Sequence, residues 1–385
     1  MWLVPHLRFP EFSGEWKETT LGKIAEITKG SGISKDQLSE QGSPCILYGE
    51  LYTKYKSEII NGVYSRTELD SSPLVKSKAN DVIIPCSGET AIDISTARCV
   101  LFNNILLGGD LNIIRLKYDD GGFFAYQLNG ARKKDIARVA QGVSVVHLYG
   151  ENLKQIRVYY PNIEEQRKIT HLLSLIDERI ATQNKIIERL QSLMSGIRHN
   201  VFTRLQNGNL YKLGEFLTEY SERNRGQELP SVAVGKYGIR KRTDIYSKEL
   251  SKDYSNNKVI YKNTLTIGMG SSQIDIGILL GDEMYCVSPA YTTYRIHNIN
   301  PTYLQEYLIH INSILSFKYM ITSVRQGKSV NKSALLQHKI FVCNENEQNT
   351  IQYAFKIIKE KIAIEQNILK DLIGQKKYLL SKMFI

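Results

Sequence analysis

The sequence predicts an α+β fold of two similar halves. Each half is a mixed α/β body followed by a long helix, and the two helices are expected to pair as an antiparallel coiled coil. Three observations carry this. Short motifs recur in the same order along the chain, strand-like apolar runs punctuated by glycine fill two long stretches, and two segments keep helical apolar spacing over about ten turns.

The repeat has a period of about 182 residues, which suits a chain of 385 residues holding two or three domains. Asn162-Ile163-Glu164-Glu165-Gln166 recurs as Asn344-Glu345-Asn346-Glu347-Gln348. Ile92-Asp93-Ile94 matches Ile274-Asp275-Ile276, and Gln141-Gly142 with Ser144-Val145 matches Gln326-Gly327 with Ser329-Val330. Lys17 and Leu21-Gly22 find a looser echo in Lys212-Leu213-Gly214. The boundaries that follow are 1–161 for the first body, 162–207 for its helix, 208–343 for the second body and 344–385 for the second helix.

The bodies read as strands between turns. Asp81–Pro85 and Leu111–Leu116 are short apolar runs in the first body, with Gly30, Gly49, Gly62, Gly108 and Gly121 among the punctuating glycines. Lys258–Tyr261, Thr264–Ile267 and Gly277–Leu280 repeat the texture in the second. Helical patterns fall near Phe123–Val139 and Pro301–Val324. Tyr48, Tyr52 and Tyr55 are candidates for an interface.

The first long helix is expected from about Ile163 to Leu205. Asn162 caps it, Glu165 completes a capping-box-like pair, and Glu164 and Glu165 suit the positive end of the helix dipole. Its apolar row includes Ile169, Leu172, Leu173, Ile176, Ile180, Leu190, Leu193 and Ile197. The second row includes Ile351, Phe355, Ile358, Ile362, Leu369, Leu372 and Ile373. Forty helical residues reach roughly 60 Å at about 1.5 Å each. Charged faces flanking one stripe, Lys168 and Glu178 among them, read as a coiled-coil seam. Two unrelated amphipathic helices are the other reading, but the matched starts and lengths favour pairing.

A net charge of +11 and a pI near 9.2 favour polyanionic partners. Hydrophobic residues at 42% supply material for real cores, which argues against disorder. The five cysteines include no CxxC pair, so neither a disulfide framework nor a zinc site is expected. No signal peptide and no membrane span are expected either, and reduced cysteines suit the cytoplasm.

No catalytic motif stands out. Gln326-Gly327-Lys328-Ser329 resembles the end of a phosphate-binding loop, but Thr322 occupies the position where that loop needs its first glycine. There is no HExxH, no GxGxxG after a strand and no Gly-x-Ser-x-Gly elbow. The expectation is a chain that binds, with no cofactor or metal of its own.

Candidate nucleic-acid contacts are the basic groups of the two bodies. Arg132, Lys133, Lys134 and Arg138 crowd a helical segment in the first. Arg223 with Arg225, and Lys236, Tyr237, Arg240, Lys241 and Arg242, form two groups in the second. Such groups neutralise phosphates, while reading bases needs polar side chains that enter a groove. The matched loops supply those: Gln141, Ser144 and His147 in one half, and Arg325, Gln326, Lys328, Ser329, Asn331 and Lys332 in the other.

At this point the chain resembles the specificity subunits of type I restriction-modification enzymes. The opening Val4-Pro5-His6-Leu7-Arg8-Phe9-Pro10-Glu11-Phe12, followed by Glu15-Trp16-Lys17 and Leu21-Gly22, looks like the start of that family. The two Asn-x-x-Glu-Gln helix starts, with Ile169, Leu172-Leu173 and Ile176-Asp177 after the first, look like its spacer helices. The resemblance implies two target-recognition domains, each reading part of a split double-stranded DNA site. It implies helices that set the gap between the parts and dock two methyltransferase subunits, with motor-nuclease subunits joining the full complex. S-adenosylmethionine, ATP and Mg²⁺ then belong to the partners. Asn346 and Thr350 stand where the first helix has Glu164 and Lys168, so docking at the two ends is expected to be unequal. Two readings compete: a self-contained nuclease or methyltransferase, and a coiled-coil adaptor that binds no DNA.

Overall fold

The computed structural model describes residues 3–205, 208–235, 238–245, 253–323 and 327–385. They form two compact units, one from Met1–Lys185 with Gln366–Ile385 and the other from Ile186–Glu365. The long helices, Ile163–Arg204 and Glu345–Lys382, each give one segment to each unit.

In the first unit, Lys17–Thr20 pairs antiparallel with Arg157–Tyr160. A five-stranded sheet runs in the order Ala25–Lys29, Leu111–Leu116, Asp81–Pro85, Arg98–Val100, Ile59–Ile60. Every residue of Asp81–Pro85 is buried, because the sheet is covered on both faces. Val82 and Ile84 enter one core with Phe123, Phe124 and Trp16, while Ile83 enters a second with Leu111 and Ile113. Tyr55 lies in that second core at 5% exposure, so it is packing, not interface.

The second unit repeats the plan. Asn209–Lys212 pairs antiparallel with Lys339–Val342. Its main sheet is Leu217–Tyr220, Thr292–Ile296, Thr264–Met269, Ile274–Leu279, all antiparallel. The looser echo at Leu21 and Leu213 is a true equivalence. Both are buried, and their N–H groups donate to the carbonyls of Ile156 and His338, each at 2.9 Å. The match at Ile92–Ile94 is not, because Ala91–Ile94 is a helical turn and Ile274–Leu279 a strand.

The joint between body and long helix is built alike in both units. Asn162 Oδ1 accepts from the N–H of Glu165 at 2.9 Å, and Asn344 Oδ1 from that of Glu347 at 3.0 Å. Gln166 donates to the carbonyl of Pro161 at 3.0 Å and accepts from the N–H of Asp120 at 2.9 Å. Gln348 donates to the carbonyl of Cys343 at 2.8 Å and accepts from the N–H of Asn300 at 2.9 Å. Asp120 and Asn300 cap the helices Gly121–Asn129 and Pro301–Tyr319. One glutamine thus locks the long helix onto the cap of a second helix.

Four expectations change. Glu165 does not complete a capping box. It is buried, and its carboxylate accepts from Arg8 Nε and Nη2, each at 2.7 Å, and from Trp16 Nε1 at 3.3 Å. This gives the opening segment its role: Arg8 neutralises a buried charge. Lys168 is likewise not on a free seam, since it pairs with Glu11 and lies 4.6 Å above the ring of Phe9. The helix expected to Val324 stops at Tyr319. Met320–Ser323 is extended and pairs with Gly327–Val330, as the β-branched Ile321 and Thr322 favour. The Phe123–Val139 pattern divides at Gly130 into Gly121–Asn129 and Lys133–Val139.

The apolar rows face inward within each unit. Ile169, Leu173 and Ile176 are buried in the first core with Leu379 and Phe384, and Leu172 and Ile180 pack against it. Phe355 is buried in the second core, with Ile197 and Ile351 beside it. Ile362 is buried, and Leu190, Ile358, Leu369 and Leu372 are half-buried. Ile169, Leu173, Ile176 and Phe355 are therefore covered by their own unit. Leu193 and Ile373 fall off the stripe and are exposed.

Candidate nucleic-acid interface

The matched Gln-Gly-x-Ser loops occupy equivalent places, between the body's helices and a short helix that precedes the return strand. In the first unit the loop is closed by a backbone pair. The N–H of Gln141 donates to His147 O at 2.9 Å and that of His147 to Gln141 O at 2.7 Å. Gly142 takes φ +118°, and a Cβ there would lie 2.1 Å from the carbonyl oxygen of Val145, so only glycine fits. Val146 is buried and pairs with Gly88 in a two-stranded ladder, which anchors the loop to the segment that follows Asp81–Pro85. Gln141, Ser144 and His147 are exposed, and the His147 ring stacks on Tyr149 at 6.2 Å. The structure thus brings these polar candidates together on one rigid, projecting turn.

The basic group before this loop divides. Arg138 and Lys134 are exposed, although Arg138 pairs with Asp135 at 3.1 Å. Arg132 is spent on the fold. Its guanidinium donates to Ile385 O at 3.0 Å, pairs with Asp135 at 3.3 Å and lies 5.3 Å over the Tyr159 ring. Lys133 is half-buried, and burial, with the Arg98 charge second, holds its ammonium below the usual lysine range. Neither Arg132 nor Lys133 is placed to meet a phosphate, because both are held by long-range packing that spacing along the helix does not reveal.

In the second unit the equivalent loop is the hairpin of Met320–Ser323 with Gly327–Val330. Lys328 donates to Ser271 O at 2.8 Å, which ties the hairpin to the turn at Gly270–Gln273. Ser329 and Lys332 are exposed. Asn331 is the cap of Lys332–Leu336, accepting from the N–H of Ala334 at 3.1 Å, so its side chain is already committed to the fold. Arg325 and Gln326 lie outside the described residues, as do Lys236 and Tyr237.

Of the other basic candidates, Arg240 and Lys241 lie on a second sheet, Gly238–Lys241, Ser231–Gly235, Tyr285–Val287, Lys258–Ile260. Arg240 and Lys241 are exposed and Arg242 half-buried. Lys241 pairs with Glu283 at 3.3 Å and lies 5.5 Å from the Tyr285 ring. Arg223 and Arg225 are exposed, Arg223 bonding Asn256 at 3.3 Å and Arg225 at φ +49° before Gly226.

Sequence reading missed the neighbours of the loops. Ser87 pairs with His147 in the first unit. In the second, Gln273 Nε2 donates to Ser313 Oγ at 3.3 Å beside the Lys328 contact. The turn-rich strings Ser87–Thr90 and Gly270–Gln273 were the available signal. The site offers hydrogen-bonding side chains, lysines and glycine-permitted close approach, the chemistry of a polyanion surface. Among the described residues no group of three or more His, Cys, Asp or Glu is arranged to hold a metal, and no helix is long and apolar enough to cross a membrane. All five cysteines are buried and unpaired.

Residues 13–192 match the model of the type I restriction modification DNA specificity domain. A protein named as a type I specificity subunit in Mycoplasma pneumoniae is 26% identical over 57% of this chain and 55% of its own length. The type I restriction enzyme MjaVIII specificity subunit of Methanocaldococcus jannaschii is 23% identical over 51% of this chain and 44% of its own. The chain thus spans about half the length of these curated relatives. The crystal structure of a type I restriction-modification system S subunit from M. genitalium shares the fold, with TM-score 0.65, 16% identity and 99% of both chains covered. A chain from a structural study of type I R-M complex assembly and conformational transition has TM-score 0.56 at 15% identity, again over 99% of both. Motifs, doubled body and matches agree, and the chain is similar to the type I restriction-modification specificity subunits.

Proposed function

We propose that this chain is the DNA sequence-specificity subunit of a type I restriction-modification complex, with each unit reading one part of a bipartite site. The observation that carries this is the duplicated corner: two equivalent bodies each present a loop with glycine and serine, around Gly142–Ser144 and Gly327–Ser329, held beside a turn that follows a strand of the main sheet. Duplication with divergence at that corner suits two different DNA words on one scaffold. Two readers on one face of a duplex need half-sites about one helical turn apart, roughly 34 Å. Setting that gap falls to the long helices.

Catalysis is assigned to partners: two methyltransferase subunits carrying S-adenosylmethionine, and motor-nuclease subunits using ATP and Mg²⁺. The assembly acts in the cytoplasm on double-stranded DNA. The test is co-expression with the candidate methyltransferase subunit and single-molecule mapping of methylated adenines. One recurring motif of two short blocks around a fixed gap is expected. Methylation that persists unchanged without this chain overturns the proposal and favours an adaptor.

Two further outcomes test the same reading. Exchanging residues 1–161 for another recognition body changes one block of the motif and leaves the other; a change in both refutes the assignment. Gly142→Ala forces strain of about 1–3 kcal/mol at the first loop. Because the loop is exposed, the strain is released by rearrangement, and binding to one half-site weakens about tenfold or more. Unaltered affinity by fluorescence anisotropy would remove this loop from the interface.

A further inference from the structure

Both corners carry exposed apolar side chains that phosphate binding does not explain, on the loop itself in the first unit and on the helix before it in the second. In the first unit Val143 is 97% exposed and Val145 53% exposed, at the tip of the loop that Gln141 and His147 close. Their neighbour Val146 is 7% exposed and anchors the loop, so the outward pair is a property of the turn and not of a loose segment. In the second unit Phe317 is 90% exposed, with Ile314 at 51% and Ile321 at 45%. The helix that carries Phe317 abuts the Gly270–Gln273 turn, since Ser316 Oγ accepts from the N–H of Ile274 at 2.9 Å. Phe317 follows one residue later and lies one helical turn from Ser313, which meets Gln273.

Single exposed apolar residues are ordinary. Here the most exposed apolar side chain near each unit's loop has basic residues close by in the chain, Lys134, Arg138 and His147 around Val143 and Lys318 and Lys328 after Phe317. That surround fits a polyanion better than an apolar protein face. Within a DNA groove the apolar feature that distinguishes bases is the C5-methyl group of thymine, exposed in the major groove.

We infer that Val143 with Val145, and Phe317, are specificity-determining contacts that read a thymine methyl in the major groove, one in each half-site. Rigidity matters for this. A methyl contact discriminates only if its partner is held in register, and Gly142 with the Gln141–His147 backbone pair holds the valines. The polar neighbours Ser144 and Ser329 remain for base-edge hydrogen bonds, and the lysines for phosphates. The inference rests on the DNA-reading function proposed above.

The assembled complex with its methyltransferase subunit is tested on its mapped site, with each specified thymine replaced in turn by deoxyuridine. Removing one methyl in each half-site is expected to weaken binding about three- to fivefold. In Val143→Ala with Val145→Ala that sensitivity disappears for one half-site only, and in Phe317→Ala for the other. All three side chains are largely solvent-exposed, so the variants fold. Sequence-specific binding that is indifferent to every methyl overturns the inference and leaves the reading function standing. So does a half-site with no A·T pair, or sensitivity that survives the variants. Loss of complex assembly with DNA affinity unchanged would make the corners protein-docking surfaces and overturn it too. Absence of sequence-specific binding by the wild-type complex instead defeats the reading function itself.

Discussion

Glu306→Ala is expected to lower the stability of the second unit by about 3–5 kcal/mol. Glu306 is fully buried in the middle of Pro301–Tyr319. Its Oε2 accepts from Arg198 Nε at 2.8 Å and pairs with Nη2 at 2.7 Å. Lys359 Nζ lies 2.6 Å from Oε1, an ion pair whose angles fall outside hydrogen-bond geometry. Arg198 comes from the first long helix and Lys359 from the second, so one carboxylate joins three helices. Alanine strands the Arg198 guanidinium, which is 13% exposed and lies 5.8 Å from the centre of the Phe355 ring. Lys359, at 38%, can turn to water and loses less. Arg198→Met in the Glu306→Leu background should recover much of the loss, because apolar replacement of a buried ion pair is often neutral and Lys359 can turn to water. Urea unfolding followed by circular dichroism checks both variants. A loss under about 1 kcal/mol, as for a surface pair, would refute the buried-triad account.

The doubled architecture was legible because its joint is spelled in neighbouring letters. Asn162 and Glu165, and Asn344 and Glu347, act within one helical turn, the range over which sequence patterns are informative. What Gln166 and Gln348 do was not legible, since their acceptor and donor partners include Asp120 and Asn300, nearly fifty residues away. The failed match at Ile92–Ile94 has a related cause: three letters do not distinguish a helical turn from a strand. The loops are legible as a repeated motif, whereas the fate of their basic neighbours is not. Arg132 is taken by the carbonyl of Ile385, at the far end of the chain, and Lys133 by burial. Sequence spacing identifies which residues can share a face. Only long-range packing decides which of them stay free to meet a ligand.

The same logic gives the other large effect, at Lys376 in the first unit. Its ammonium lies 2.5 Å from Glu58 Oε2 and 2.5 Å from Asp177 Oδ1, and 5.6 Å from the centre of the Tyr126 ring. Asp177 also accepts from Tyr126 Oη at 2.8 Å and Ser57 Oγ at 3.0 Å. Burial, and next the Asp177 charge, keep the Tyr126 phenol well above its ordinary range, so it stays a donor. Lys376→Met keeps the length of the stem but leaves two carboxylates, each 7% exposed by residue, facing each other without a cation. The expected cost is about 3–5 kcal/mol. Because the lysine serves both acids, the effects are not additive. Glu58→Gln in the Lys376→Met background should therefore be stabilising, although Glu58→Gln alone should destabilise. Both tryptophans of the sequence fall within Met1–Lys185, so tryptophan fluorescence reads the first unit. Lys376→Met should lower the urea midpoint by that probe, and the added Glu58→Gln should raise it again. A second substitution that lowers the midpoint further would mean that the lysine acts through packing of its stem and not as the shared counter-charge.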